Sequence, residues 1–312
     1  MPVRLAVATE DFGVELKSAI AEASSCEVSG LRLNARSEVR ADDSSETALR
    51  QIRHFVAERQ MTIAGLYFPS RYALYDAEHL DRRIQSIRAA MSLVRKLGTT
   101  ELIIRCGRIP AANLTAETTS SPADDETGRK SLEPTNSDVN SLRNPFSFAP
   151  PPGSVISKAP SEPQNYAMLC EILNDLVSHG SHVGCVLQLQ MARYDIERIQ
   201  QLHNDVRSGP FGIVFDPATA TMTGAAPVSV LRTLYSQIGY IRGRDALADL
   251  DGAGVEVAVG DGKVDWLELL PTIAETEYNG WLCVERSGGE HRAEDVRIGV
   301  SRIRQILIPG AG

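Results

Sequence analysis

The chain has 312 residues, of which 43% are apolar, and its formal net charge at pH 7 is −8. This apolar content is enough for one large hydrophobic core or two modest ones, whereas the acidic balance argues against a general nucleic-acid-binding surface. The sequence has no apolar run of about 18 residues, so we expect no membrane-spanning helix.

The cysteines and the first residues indicate a compartment. Five cysteines are odd in number and lack the spacing of metal ligands, which favours buried reduced thiols over a disulfide framework. The opening segment MPVRLAVATEDFG has an apolar run that is too short for a signal peptide, and acids follow at once. We therefore expect a cytoplasmic protein.

The first third of the chain alternates between strand and helix patterns. Strands are predicted at Pro2–Thr9, Val28–Leu33, Met61–Phe68 and Thr100–Arg105. Helices are predicted at Val14–Ala23, after an N-cap at Ser45, and at Asp76–Leu97. Four strand–helix alternations in a row favour a parallel sheet with helical crossovers.

The pattern stops at Ala112–Pro163, which is rich in Ser, Thr, Pro, Asn and Asp and has few large apolar residues. Such a segment cannot bury enough apolar surface to offset its chain entropy. We interpret it as a disordered insertion after the fourth strand, either a flexible surface loop or a lid that folds over a ligand.

Periodicity returns after the insertion. Strands are predicted at Val183–Gln190, Phe211–Asp216, Ile238–Arg242 and Trp281–Val284. Helices are predicted at Tyr166–Ser178, Asp195–Val206, Pro227–Leu234, after an N-cap at Asp265, and at Asp295–Ile306. A long loop, Gly243–Lys263, separates the seventh strand from the helix that Asp265 begins.

Eight strand–helix units predict a (β/α)₈ TIM barrel that forms one domain, 1–312, interrupted by the insertion at 112–163. Without the 52 inserted residues (163 − 112 + 1), 312 − 52 = 260 remain, close to the ~250 of a typical barrel. The alternative is a doubly wound open sheet. That fold favours a glycine-rich turn after the first strand, and TEDFG is not such a turn.

The carboxyl ends of barrel strands meet at one mouth, where barrel enzymes keep their chemistry. Asp216 follows strand six, Glu285 follows strand eight, and Arg242 ends strand seven between them. Neighbouring strands lie ~4.8 Å apart, so the Arg242 guanidinium can pair with one or both carboxylates. The three are predicted as catalytic residues, with a purely structural salt bridge as the alternative.

Other polar residues at predicted strand ends are candidates for binding a ligand. These are Gln190, Tyr240, Arg71, Arg105, Arg108, Arg244 and Arg286. Arginines pair bidentately with phosphate and carboxylate, so the cluster suits a small anionic ligand. The alternative is that the arginines only neutralise acids of the protein.

Several segments together resemble the xylose isomerase-like TIM barrels, also called sugar phosphate isomerase/epimerases. They are LYDAEHLDRRIQSIRAAMSLVRKLG, RCGRIP, GIVFDPA, GRDAL, VGDGKVDW and YNGWLCVER. The resemblance implies a divalent cation held by Glu, Asp, His and Glu from strands five to eight. Asp216 and Glu285 match two of these ligands, whereas Gln190 occupies the position of the strand-five Glu. Both strand-seven histidines are absent from Tyr240–Asp245.

Two carboxylates, an amide and no imidazole make a poor site for Mn²⁺ or Zn²⁺. We therefore expect no cofactor, with Mn²⁺ or Mg²⁺ at Asp216 and Glu285 as the alternative. The resemblance implies a sugar or sugar-phosphate isomerase/epimerase that transfers a proton next to a carbonyl, here without a metal. A non-catalytic protein that binds an anionic small molecule or a protein is the alternative. A DNA-repair nuclease is disfavoured because it needs a histidine-rich metal cluster and a basic face.

Overall fold

Parallel strands close into a barrel in the computed structural model, which describes residues 3–42, 44–113, 160–248 and 254–307. The eight barrel strands are β1 (Arg4–Ala8), β2 (Gly30–Asn34), β3 (Thr62–Phe68), β4 (Glu101–Gly107), β5 (Val186–Met191), β6 (Phe211–Phe215), β7 (Ile238–Gly243) and β10 (Trp281–Val284). β10 pairs with both β1 and β7. This closure confirms the predicted barrel and excludes the open sheet.

Helices surround the barrel and bury its outer face. They are α1 (Leu16–Ser24), α2 (Glu46–Ala57), α3 (Leu80–Lys96), α4 (Glu162–Val183), α5 (Ile196–Asp205), α6 (Pro217–Met222), α7 (Pro227–Leu234), α8 (Trp266–Glu275) and α9 (Arg292–Leu307). The N-caps predicted at Ser45 and Asp265 are confirmed, because each side chain accepts a hydrogen bond from a backbone N–H in the first turn. No helix of the described ranges is long and apolar enough to cross a membrane.

The barrel interior is filled by side chains of alternating size. This inner layer consists of Ala6, Ala8, Ala64, Ile103, Val214, Tyr240, Trp281 and Cys283. The indole of Trp281 occupies the space in front of Gly30, where any Cβ would overlap the ring. Small residues on β1 to β3 therefore make room for the aromatic side chains of β7 and β10.

Several predicted boundaries were wrong. The loop predicted at 243–263 contains a hairpin of β8 (Asp245–Leu247) and β9 (Val255–Val257). Helix α6 begins directly after Asp216, where no helix was predicted. Helix α4 begins at Glu162, inside the predicted insertion, because Ser161 and Gln164 form a capping box. The rest of that insertion, 114–159, lies outside the described residues.

Candidate active site at the barrel mouth

Three adjacent strands deliver the central side chains to the mouth. Arg242 lies on β7 opposite Cys283 of β10, and Glu285 follows two residues later on the same face as Cys283. Asp216 follows β6 and caps α6, accepting hydrogen bonds from the Thr219 N–H (3.2 Å) and hydroxyl (3.0 Å). The side chains of both acids are only 1% exposed.

The predicted pairing of Arg242 with both carboxylates is confirmed. Its Nε and Nη2 lie 2.7 and 2.5 Å from Glu285 Oε2, and its Nη1 lies 3.4 Å from Asp216 Oδ2. Because Arg242 stands between the strands that carry the acids, one guanidinium bridges them. This arrangement is the core of a buried ionic cluster, which we call the mouth cluster.

Arg32 of β2 approaches Glu285 from the other flank of β10, since β1 alone separates these two strands. Its Nε lies 3.0 Å from Glu285 Oε1, and its Nη2 donates to Glu10 at 2.9 Å. The Nε–Oε1 pair is an ion pair without hydrogen-bond alignment. The Tyr67 ring lies 4.8 Å below Arg32 and 5.8 Å below Arg242. Each oxygen of Glu285 therefore faces a guanidinium.

Arg244 connects Asp216 with the β8–β9 hairpin. Its Nη1 lies 2.6 Å from Asp216 Oδ2, and its Nη2 lies 2.6 Å from Glu256 Oε2 on β9. The mouth cluster thus consists of Arg32, Arg242, Arg244, Glu10, Asp216, Glu256 and Glu285.

Burial and charge act in opposite directions on the two central acids. Burial alone would raise the pKa of Asp216, but the guanidiniums of Arg244 and Arg242 hold this pKa below its ordinary value. Burial would likewise raise the pKa of Glu285, and Arg242 and Arg32 reverse that effect. Both carboxylates are therefore ionised at neutral pH and bound to cations.

Asp11 has a different charge state. The pKa of its carboxyl is raised to about 7, mainly by burial; the Glu285 charge adds to the rise and the Arg32 guanidinium opposes it. Its Oδ2 accepts the Arg286 N–H at 2.8 Å, while Arg292 Nη1 lies 3.6 Å from its Oδ1. Asp11 is thus a carboxyl beside the mouth cluster that titrates near neutral pH.

Some predicted binding residues have structural partners. The Arg286 guanidinium lies 2.8 Å from Asp295 and donates to the Glu256 carbonyl at 2.9 Å. Arg108 pairs with Glu162 at 3.1 Å at the start of α4. Both arginines therefore pair with groups of the protein itself.

Other predicted residues differ in their access to the mouth. Tyr240 is fully buried in the barrel interior, and its hydroxyl has no hydrogen-bond partner among the described residues. Gln190 and Arg105 are neighbours across the β5–β4 register. Arg105 is exposed, and Gln190 is half-buried. Arg71 lies elsewhere, in a cavity against α3 that shares no lining residue with the mouth cluster.

Sequence reasoning did not identify Arg32, Glu10 or Glu256 as part of this site. Arg32 carried a signal, since it is a charged residue in the middle of the apolar segment VSGLRLNA. Glu10 and Glu256 lie in connecting segments with no distinguishing pattern. Their proximity to the mouth follows only from barrel closure and from the hairpin.

Comparison with known proteins agrees with the barrel fold. A family model described as xylose isomerase-like TIM barrel matches residues 20–306. No curated protein matches the chain significantly.

Similar solved structures include three bacterial barrels. A xylose isomerase domain protein from Planctomyces limnophilus is 17% identical, with a TM-score of 0.70 over 98% of this chain and 96% of that chain. A xylose isomerase-like TIM barrel protein from Mycobacterium smegmatis in complex with magnesium is 14% identical, with a TM-score of 0.65 over 98% and 96%. The 3-keto-D-glucoside 4-epimerase of E. coli is 12% identical, with a TM-score of 0.66 over 97% and 99%.

Proposed function

The chain belongs to the xylose isomerase-like TIM barrel family, and from this premise we propose that its mouth binds a small anionic sugar derivative without metal-dependent chemistry. The observation that carries the proposal is the mouth cluster. Its guanidiniums neutralise the acids that the family resemblance assigns to a metal ion, while Arg105 and Gln190 are left to meet a ligand.

The central acids are poorly suited to proton transfer. A general base works best when its pKa is close to the operating pH. The pKa values of Asp216 and Glu285 are lowered by the arginines, and their side chains are 1% exposed. A substrate would have to displace a guanidinium before it reached either oxygen. The cluster is therefore a preformed, ion-paired floor for a binding site.

The donor set also does not fit a divalent cation. No group of three or more His, Cys, Asp or Glu side chains in the described part of the chain could hold a metal ion. A cation at Asp216 and Glu285 would lie beside Arg242, Arg244 and Arg32 and would have to break their ion pairs. Gln190 would add only a neutral amide oxygen.

Arg105 and Gln190 supply the recognition chemistry. Arg105 is inward-facing, two residues after the buried Ile103 on β4, and forms no ion pair with the residues that the structure describes. Gln190 Oε1 has no donor there. The guanidinium suits a carboxylate or phosphate, and the amide oxygen suits a sugar hydroxyl. These two groups support a sugar acid or sugar phosphate as the ligand class.

Calorimetry with glucuronate, ribose 5-phosphate and glucose tests this proposal. We expect saturable binding of at least one of the anionic sugars and none of glucose. Arg105→Gln should weaken that binding at least tenfold, as expected for the loss of a charge-assisted hydrogen bond. Arg50→Gln is the matched control, because Arg50 is exposed on α2. Binding that survives Arg105→Gln unchanged would refute this placement of the ligand.

A second candidate, an isomerase or epimerase that works by proton transfer, is favoured by Asp11. Its carboxyl has a pKa of about 7 and lies within electrostatic reach of Arg32, which pairs with Glu285; such a pKa suits general acid–base chemistry at neutral pH. Solvent deuterium exchange into a panel of ketoses, followed by NMR, distinguishes the candidates. Exchange that occurs with the wild type and is lost in Asp11→Asn would support the isomerase or epimerase and overturn the binding-only proposal. Absence of exchange for the whole panel, with anionic sugar bound, would support it.

A further inference from the structure

A cavity of about 880 Å³ lies outside the barrel, between the segments that follow β2 and β3 and the first turns of α3. Its lining includes Arg36, Arg71 and Arg82, together with the aromatic side chains of Phe68 and Tyr72. Small-molecule sites in proteins commonly have volumes of ~300–1,000 Å³. The cavity is therefore large enough to enclose a ligand.

The arginines of this cavity are unusual in an acidic protein. Arg36, Arg71 and Arg82 are exposed, and none of them forms an ion pair with a residue that the structure describes. Asp42 is the single carboxylate among the described lining residues. The chain carries a net charge of −8, so carboxylates that could have neutralised these cations are abundant elsewhere.

Two of these cations line the same cavity and affect each other electrostatically. Burial and the neighbouring charge of Arg82 lower the pKa of the Arg36 guanidinium. The same guanidinium lies 4.3 Å from the centre of the Phe68 ring, which restricts its orientation. Like charges repel each other, and a doubly charged anion bound by both guanidiniums would relieve that repulsion.

The lining behind the arginines is partly apolar and is held by the hydrogen bonds of a buried arginine. Arg83 is buried and donates to the carbonyls of Glu78 (2.9 Å), Leu74 (3.3 Å) and Asp76, so it fixes the loop while adding a positive charge. Small apolar side chains line the same space. They are Ala35, Ala41, Pro69, Ala89 and Ala90. A ligand with one dianionic group and an apolar body would contact both parts.

We propose that this cavity is a binding site for a phosphate monoester with an aromatic or apolar body, held by Arg36, Arg71 and Arg82. The phosphate accepts hydrogen bonds from the three guanidiniums, and the body lies along the alanine-lined wall beside Phe68. The site is separate from the barrel mouth, because none of its lining residues belongs to the mouth cluster.

Calorimetric titration of the full chain with phenyl phosphate, inorganic phosphate and phenol tests the assignment. We expect phenyl phosphate to bind more tightly than inorganic phosphate, phenol to show no binding, and affinity to fall steeply with salt. Arg36→Gln and Arg82→Gln should each weaken phenyl phosphate binding about tenfold or more. Arg50→Gln, an exposed arginine of α2, should leave it unchanged.

The two proposed sites can be tested independently. Arg105→Gln should not alter phenyl phosphate binding, and Arg36→Gln should not alter binding of the anionic sugar at the mouth. Unchanged phenyl phosphate affinity in both Arg36→Gln and Arg82→Gln, with circular dichroism showing folded variants, would overturn the assignment. Tighter, arginine-dependent binding of a phosphoserine peptide than of phenyl phosphate would also overturn it, in favour of a protein partner.

Discussion

Replacement of Arg242 by methionine tests whether the mouth cluster is an electrostatic unit. Methionine has a similar length and an apolar end, so the change removes the charge and leaves much of the side-chain volume. In the wild type, this guanidinium contacts Glu285 at 2.5 and 2.7 Å and Asp216 at 3.4 Å. The variant leaves both acids buried with one cation fewer.

The size of the effect follows from the contacts that remain. Breaking a buried ion pair by removing one partner typically costs about 3–5 kcal/mol. Glu285 keeps Arg32 at 3.0 Å, and Asp216 keeps Arg244 at 2.6 Å. We therefore expect a loss at the lower end of this range, about 3 kcal/mol in the free energy of unfolding. For a chain of this size, the loss corresponds to a fall of roughly 5 °C in Tm.

Equilibrium urea unfolding, followed by circular dichroism and tryptophan fluorescence, measures the loss at pH 7. Arg50→Met is the control and should change stability by less than about 0.5 kcal/mol, as is usual for an exposed residue. A loss below about 1 kcal/mol for Arg242→Met would refute the view that the guanidinium compensates both acids.

The pH dependence provides a second check. The pKa values of Asp216 and Glu285 in the folded protein lie below their ordinary values of 3.8 and 4.5. Their stabilising contribution is therefore present above these ordinary values and is lost as the pH falls through the lower folded-state values. Arg242→Met removes part of the effect that lowers these two pKa values. The difference in the free energy of unfolding between wild type and variant should therefore narrow below about pH 4. A gap that stays constant from pH 7 to pH 3 would indicate a packing effect.

Two further predictions concern carboxyl groups near the mouth. The pKa of Asp11 is raised from 3.8 to about 7, so its contribution to stability is complete below pH 3.8 and is lost as the pH rises through 7. From pH 5 to pH 8, the free energy of unfolding of Asp11→Asn should therefore rise by about 3 kcal/mol relative to that of the wild type. This is about 1.4 kcal/mol for each of the two pH units between pH 5 and the pKa of about 7. Urea unfolding at both pH values measures this gain, and an unchanged difference would contradict it. Asp245 is buried and accepts hydrogen bonds from the N–H groups of Ala246, Gly260 and Val264 and from the Trp266 indole, at 2.8–3.1 Å. Asp245→Ala leaves these donors without their acceptor and should cost about 3 kcal/mol or more; Asp245→Asn, which keeps an acceptor oxygen, should cost less, and equal losses would contradict this reasoning.

The strand ends predicted four members of the mouth cluster, Asp216, Arg242, Arg244 and Glu285, because strand geometry is local. A residue's parity and its position at the end of an apolar run follow from neighbours in sequence. Asp216, Arg242 and Glu285 could therefore be placed together once eight strands were counted. The N-caps at Ser45 and Asp265 were equally local, since a cap depends on its own first turn.

Short elements were missed for the same reason. Helix α6 has six residues and the hairpin strands β8 and β9 have three each, too few for a periodic apolar pattern. The hairpin places Glu256 beside Arg244, and Asp245 holds the connecting loop through backbone N–H groups. No sequence period encodes contacts of this kind.

By itself, the sequence determined the order of the eight barrel strands and the barrel that they form, and it predicted the pairing of Arg242 with acids on both sides. Only the tertiary structure decided that Arg32, far away in sequence, forms the second ion pair of Glu285, and that Arg71 lines an outer cavity instead of the mouth. The physical reason is that barrel closure brings β2 within reach of β10, and such long-range proximity depends on the curvature of the whole sheet.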